Sequence, residues 1–106
     1  MGKKTLETLT ESMFYVLMAL LRQPRCGTEM AEYVSAITQG RVRLGPGTLY
    51  TILAKFQEEG LIRETAVEGR RRTYALTEAG LARYQEEIAR LRSCLADAER
   101  EANRRE

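Results

Sequence analysis

Histidine and tryptophan are absent from this 106-residue chain, and cysteine and proline occur only twice each. Without histidine there is no Ser-His-Asp or Cys-His nucleophile arrangement and no histidine-containing zinc site. Cys26 and Cys94 stand far apart with no Cys-x-x-Cys pair, which excludes a cysteine zinc cluster and a thioredoxin-like motif. Such sparing use of cysteine suits a reducing cytosol. A phosphate-cradling loop is missing too, since Gly45-Pro46-Gly47 has the wrong spacing and no following lysine. Carboxylates do occur side by side, Glu58 with Glu59 and Glu86 with Glu87. Adjacent helical positions point about 100° apart, so these do not converge as an acid–base pair. The expectation is a protein that is not an enzyme and holds no cofactor or metal. The longest apolar run, residues 13–21, includes Tyr15 and is too short to span a bilayer. Arg22 and Pro24 follow it where a secretory signal would have small residues, so a soluble cytoplasmic protein is expected.

Charge of one sign is also missing. Lysine and arginine number 17 against 15 acidic residues, a net of +2 that identifies no partner by itself. Its distribution says more. Residues 1–40 balance, residues 41–76 carry seven positive and four negative charges, and residues 77–106 carry six positive and seven negative. The excess lies in the middle third.

With 43% apolar and 30% charged residues, the chain has enough for one core and too little length for two. A first helix is expected from Thr8 or Thr10 to about Arg22, with Thr8 and Glu11 spaced as a capping box. Leu9, Met13, Val16, Leu17, Leu20 and Leu21 cover one face, and Phe14 with Met18 widen it nearly all round. Such a helix is central or touches another subunit. A second helix over residues 27–38 places Met30, Tyr33, Val34 and Ile37 at i, i+3, i+4, i+7, with Gly40 at its end. The third runs from Pro46 to a cap at Gly60, with Leu49, Ile52, Leu53 and Phe56 on the same spacing. Residues 41–44 between them have room for one strand-like crossing. Residues 61–67 and 71–76 then read as a hairpin around Gly69.

Thr77 with Glu78 opens a last helix. In it Leu81, Tyr84, Ile88, Leu91, Leu95, Ala98 and Ala102 alternate steps of three and four, a heptad seam flanked by Glu87, Arg92, Glu99 and Glu101. About 27 residues at 1.5 Å each make roughly 40 Å, longer than the small domain before it. Leu81, Tyr84, Ile88, Leu91, Leu95 and Ala98 are therefore expected to form a homodimer contact. The fold class that results is mainly α with a small β-hairpin: a winged helix-turn-helix over residues 1–77 plus a long dimerisation helix over 78–106, one compact unit.

In a winged helix the third helix enters the major groove and the hairpin tip reaches the neighbouring backbone or minor groove. Here the positions facing away from the core include Thr48, Tyr50, Thr51 and Lys55, whereas Glu58 and Glu59 burden the far end. The helix should dock N-terminus first, where its dipole attracts phosphate. Arg70, Arg71 and Arg72 follow the turn glycine. They are read as phosphate or minor-groove contacts, against the plainer alternative of a solvated basic turn paired with Glu64 and Glu68. Lys3 and Lys4 are a candidate basic arm beside the duplex.

The strings GTLYTIL at 47–53, EEGLI at 58–62 and GRRRTYALTEAG at 69–80 resemble the PadR family of transcriptional regulators. TESMFYVLMALL at 10–21 and CGTEMAEYV at 26–34 look like that family's first two helices, and the resemblance covers about residues 6 to 92. Thr51 stands where many relatives have proline, and the single C-terminal helix resembles the family's short branch. The absence of tryptophan removes the device by which some relatives stack flat drugs. The resemblance implies a homodimeric repressor on a pseudo-palindromic operator in double-stranded DNA, relieved by a small hydrophobic or aromatic effector. Phe14, Tyr15, Met18, Tyr84, Ile88 and Leu91 are the residues most able to line an effector cavity, and equally able to be plain dimer core. The rival from another class is a winged-helix protein–protein module with a coiled-coil-like dimer helix and no specific DNA target. Redox sensing by Cys94 or Cys26 is a weaker candidate, because only Arg90 and Arg92 acidify the first and burial suits the second.

Overall fold

Thr10 starts the first helix by turning its hydroxyl onto the Met13 N–H, 3.1 Å away. The cap is thus Thr10 and not the Thr8–Glu11 pair, and Met13 completes the box with its sulfur 3.4 Å from the Thr10 N–H. The computed structural model describes residues 8–105. Among them the chain runs α1 (Glu11–Ala19), β1 (Arg25–Cys26), α2 (Gly27–Ile37), α3 (Pro46–Glu58), β2 (Ile62–Glu68), β3 (Arg71–Leu76) and α4 (Glu78–Asn103). This is the mainly α winged helix expected. No helix among the described residues is long and apolar enough to cross a membrane.

Helix α1 stops short of Arg22 for a local reason. The Nε of Arg25 takes the Ala19 carbonyl at 2.7 Å, its guanidinium lies 4.5 Å over the Tyr33 ring, and Pro24 has no N–H to extend the ladder. Residues 41–44 form no strand. Val42 and Leu44 turn into the core, and the Val42 N–H donates to the Thr38 hydroxyl at 3.0 Å, so this backbone is satisfied without a ladder. The additional strand is β1 instead, two residues just before α2. It pairs Arg25 with Tyr74 and Cys26 with Thr73, giving an antiparallel sheet ordered β1-β3-β2.

Most periodic positions of the first three helices meet where their spacing points them, but Leu21 (39% exposed) and Ile37 (44%), at the ends of their stripes, do not reach the core. Val16 and Leu17 from α1, Met30 and Val34 from α2, and Leu53 and Phe56 from α3 are fully buried. Each such side chain contributes about 1.5–3 kcal/mol relative to exposure. At the end of α3 the Gly60 N–H bonds to the Gln57 carbonyl and the Leu61 N–H to that of Phe56, which closes the helix.

Thr77 then joins three elements. Its N–H donates to Leu61, its hydroxyl donates to Gly60, and the same oxygen accepts from the Gly80 N–H to cap α4. Helix α4 passes so close to this junction that a Cβ on Gly80 would lie 2.1 Å from the Leu61 carbonyl oxygen. Beyond it Tyr84 is buried, its ring stacked on Phe14 at 5.2 Å and 12°, and Ile88 packs against the same core. Leu91 (41% exposed), Leu95 (59%) and Ala98 emerge from the domain. The seam therefore divides: Tyr84 and Ile88 pack on the domain's core, while Leu81 (39% exposed) before them and the outer half beyond them are exposed.

Glu87, expected on a flank of the seam where it could pair with another helix, is instead 2% exposed within its own domain. Arg90 donates to one of its oxygens, and Arg83 lies 3.7 Å from the other, which has no hydrogen bond among the described residues. Turning the seam toward α1 carries this neighbouring position inward with it, and two arginines one turn away balance the charge. Gly80→Ala is expected to lower stability by about 2–3 kcal/mol despite the ~1 kcal/mol that alanine gains in helix propensity, read as the shift of the urea midpoint.

Candidate nucleic-acid interface

Every α3 position assigned to the outer face is on it. Thr48, Tyr50 (61% exposed), Thr51 and Lys55 are exposed, while Leu49, Ile52, Leu53 and Phe56 are buried beneath them. The start of α3 is bare as well: Gly45 is its cap without a side-chain hydrogen bond, Pro46 sits in its first turn, and no acidic residue lies there. Free N–H groups and a positive dipole end attract an anion at such a terminus. Neither Gly45 nor Gly47 has any atom within 4 Å of where a Cβ would project, so a backbone phosphate can approach closely.

The wing stands beside this helix. Its turn places Gly69 at φ +63°, the first central position of a two-residue hairpin loop closed by Glu68 and Arg71. Positive φ at that position is what a type II′ turn demands, and glycine supplies it without strain. A bulge at Thr65, between the paired residues Glu64 and Ala66, adds twist to β2. Between α3 and the wing runs a groove of about 590 Å³, walled by Tyr50 and Leu53 on one side and by Arg70, Arg71, Arg72 and Tyr74 on the other. Its floor is the start of α2, Cys26, Gly27 and Thr28. The Tyr74 phenol is pushed above its ordinary pKa by burial, so it stays a neutral donor and acceptor at the groove's edge.

The three arginines are not equivalent. Arg71 donates to Glu29 at 3.1 Å and Arg72 to Glu64 at 2.8 Å. Arg70, at the tip, has no ion pair or hydrogen bond among the described residues. The pairing of Arg72 with Glu64 across the hairpin is one of those in the alternative reading of the run as a solvated basic turn. Glu68, the other partner in that reading, has no ion pair among the described residues. The pairing of Arg71 with Glu29 lies outside both readings, because it needs β1. Strand β1 sets Cys26 against Thr73, which brings the first turn of α2 to the base of the wing. Glu29 then bridges the two elements, accepting from the Cys26 N–H through one oxygen at 2.9 Å and from Arg71 through the other. These contacts, the Cys26 hydrogen bond foremost, hold its carboxyl below the usual range. Cys-x-x-Glu at 26–29 has capping-box spacing, but cysteine in the cap position hides the signature.

The remaining candidates separate. Tyr50 and the three arginines line one groove, whereas Thr48, Thr51 and Lys55 are exposed on α3 without lining it; Lys3 and Lys4 lie outside the described residues. Of the six proposed effector-pocket residues, Phe14, Tyr15 and Leu91 line a cavity of about 360 Å³ between α1 and α4, together with Leu9, Glu11, Glu87 and Arg90. Met18, Tyr84 and Ile88 do not line it and pack against the core instead. Arg41 donates to two of the cavity's lining residues, to the Glu11 carboxylate and to the Tyr15 hydroxyl. Cys26 is buried and Cys94 exposed, 3.7 Å from Arg90.

The family model described as the transcriptional regulator PadR-like family matches residues 16–86. No curated protein matches the chain. Among solved structures, a transcriptional regulator from Clostridium thermocellum is similar with a TM-score of 0.75 and 21% identity, covering 83% of this chain and 89% of that one. A PadR family regulator from Clostridium difficile R20291 is similar with a TM-score of 0.71 and 18% identity over 83% of this chain and 94% of its own. The PadR of Bacillus subtilis in complex with operator DNA gives a TM-score of 0.64 and 18% identity over 73% of this chain and 47% of that longer one. The family match runs from the second half of α1 through α2, α3 and the hairpin into the start of α4. The chain belongs to the PadR-like family, DNA-binding transcriptional regulators and not enzymes.

Proposed function

We propose that this protein is a homodimeric repressor in the cytoplasm that occupies a pseudo-palindromic operator and leaves it when a small hydrophobic or aromatic effector binds. The single observation that carries the DNA part is the groove that Tyr50 of α3 shares with the arginine wing. Thr48, Tyr50 and Thr51 read the major groove, Tyr50 by stacking or by contact with a thymine methyl. Lys55, Arg70, Arg71 and Arg72 hold phosphates or enter the minor groove, and Lys3 and Lys4 add a basic arm. Operator binding by the Bacillus subtilis relative supports this reading.

The bare outer half of α4 supports the dimer. Leu91, Leu95 and Ala98 continue one stripe past the end of the domain, and a second copy is the partner that buries it symmetrically. On this reading residues 1–77 bind DNA and 78–106 dimerise. Two α3 helices then meet successive major grooves with half-sites about 34 Å apart. The aromatic-walled cavity between α1 and α4 lies next to that stripe, so a ligand there is placed to alter how α4 sits on the domain.

Three measurements check this. Arg70→Ala with Arg71→Ala is expected to flatten the plot of log K against log salt by about one to two units, whereas an unchanged slope would remove the wing from the interface. Leu91→Glu with Leu95→Glu should convert a dimer to a monomer in light scattering; a mass unaltered by the pair would place the contact elsewhere. Phenolics and hydrophobic cations at saturating concentration should raise the melting temperature by several degrees, and a screen without any stabilisation counts against an effector cavity.

A further inference from the structure

Non-specific DNA binding is driven by counterion release, and only cations free to neutralise phosphate contribute to it. The wing carries three consecutive arginines, yet two are already neutralised within the chain. Glu29 holds Arg71 and Glu64 holds Arg72, which leaves Arg70 as the uncommitted charge of the run. We propose that Glu29 and Glu64 are specificity-determining residues that screen the wing arginines, releasing them only to a duplex docked closely enough to displace both carboxylates. The proposal rests on the reading of the α3–wing groove as the DNA interface.

The geometry favours a screen over a brace. Both arginine side chains are 58% exposed, and exposed ion pairs of this kind hold little against a competing phosphate. Glu29 cannot simply turn away, because its other oxygen accepts the Cys26 N–H at the floor of the groove. Glu64 is three-quarters covered and stands opposite Tyr74, one diagonal step from Arg72 on the same face of the hairpin. Each carboxylate is therefore a fixed negative charge beside the path a phosphate takes. A loosely held duplex, with water between phosphate and guanidinium, meets a nearly neutral wing. One seated on α3 brings phosphate oxygens into direct contact with Arg71 and Arg72, where paired N–H···O bonds outcompete the two carboxylates.

The test uses the full chain, a scrambled-sequence duplex and a duplex selected from a random pool, with anisotropy titrations over a range of salt. Glu29→Gln keeps an oxygen acceptor for the Cys26 N–H, so the α2 cap survives, and Glu64→Gln is equally conservative; thermal melts confirm the fold. The double variant is expected to bind scrambled DNA about tenfold tighter, with a salt slope steeper by about one to two, and selected DNA only about two- to threefold tighter. Glu68→Gln makes the same charge change as either single variant, at a hairpin residue with no ion pair among those described, and should tighten binding less than about twofold. Equal tightening by Glu68→Gln and by each single variant would show an effect of net charge and overturn the screen. No change from the glutamines, with Arg70→Ala still weakening binding, would overturn the screen and keep the wing at the DNA. Indifference to Arg70→Ala as well would overturn the interface on which the screen depends.

Discussion

The short pairing of β1 with β3 is the contact on which the rest of this structure depends. Two residues, Arg25 and Cys26, turn a free hairpin into one arm of a sheet anchored at the start of α2. An isolated two-stranded hairpin is marginal in water, and a third strand with a helix behind it makes the wing a defined surface. The same two residues act in the helices on either side. Arg25 closes α1 through the Ala19 carbonyl and Cys26 begins α2, so the ends of both helices and the base of the wing are fixed together.

From that anchor the interface follows. Strand β3 carries Arg71 and Arg72 along one wall of a groove whose other wall is the outer face of α3. Thr77 transmits the position of the hairpin to α4 by bonding back to Gly60 and Leu61, and the side chain missing from Gly80 lets the long helix pass. The wing, the third helix and the outer helix thus meet at one junction, through Thr77 and its partners Gly60, Leu61 and Gly80.

The charge arrangement differs from the plain basic surface that the arginine run suggests. Carboxylates from α2 and β2 accompany the cations, and the buried Glu87 on α4 sits between Arg83 and Arg90. Pairing at these places lowers the field outside the molecule while leaving the arginines within reach of a ligand that competes for them. A regulator facing a large excess of non-target DNA gains from that restraint, since its occupancy depends on the ratio of specific to non-specific binding.

Local rules determined much of this protein in advance. Apolar spacing assigned the buried and exposed faces of α3 residue by residue, because a 3.6-residue period needs no knowledge of the partner. In α2 it found Met30 and Val34 but not that Ile37 would lie 44% exposed. Gly69 and the β-prone residues around it marked the hairpin, Thr77 marked the start of α4, and the strings at 47–53 and 69–80 indicated the PadR-like family that the chain belongs to. Contacts between segments distant in sequence were decided only by the tertiary structure. A two-residue strand has too few residues to show an alternating pattern, so β1 was invisible and residues 41–44 looked like the better crossing. The partner of Arg71 lies 42 positions away on α2, and it became a neighbour only through that strand. Which part of the α4 seam packs on its own domain, and which stays bare, likewise depended on where α1 lay. Heptad spacing defines a face, but the geometry of the surrounding chain chooses what covers it.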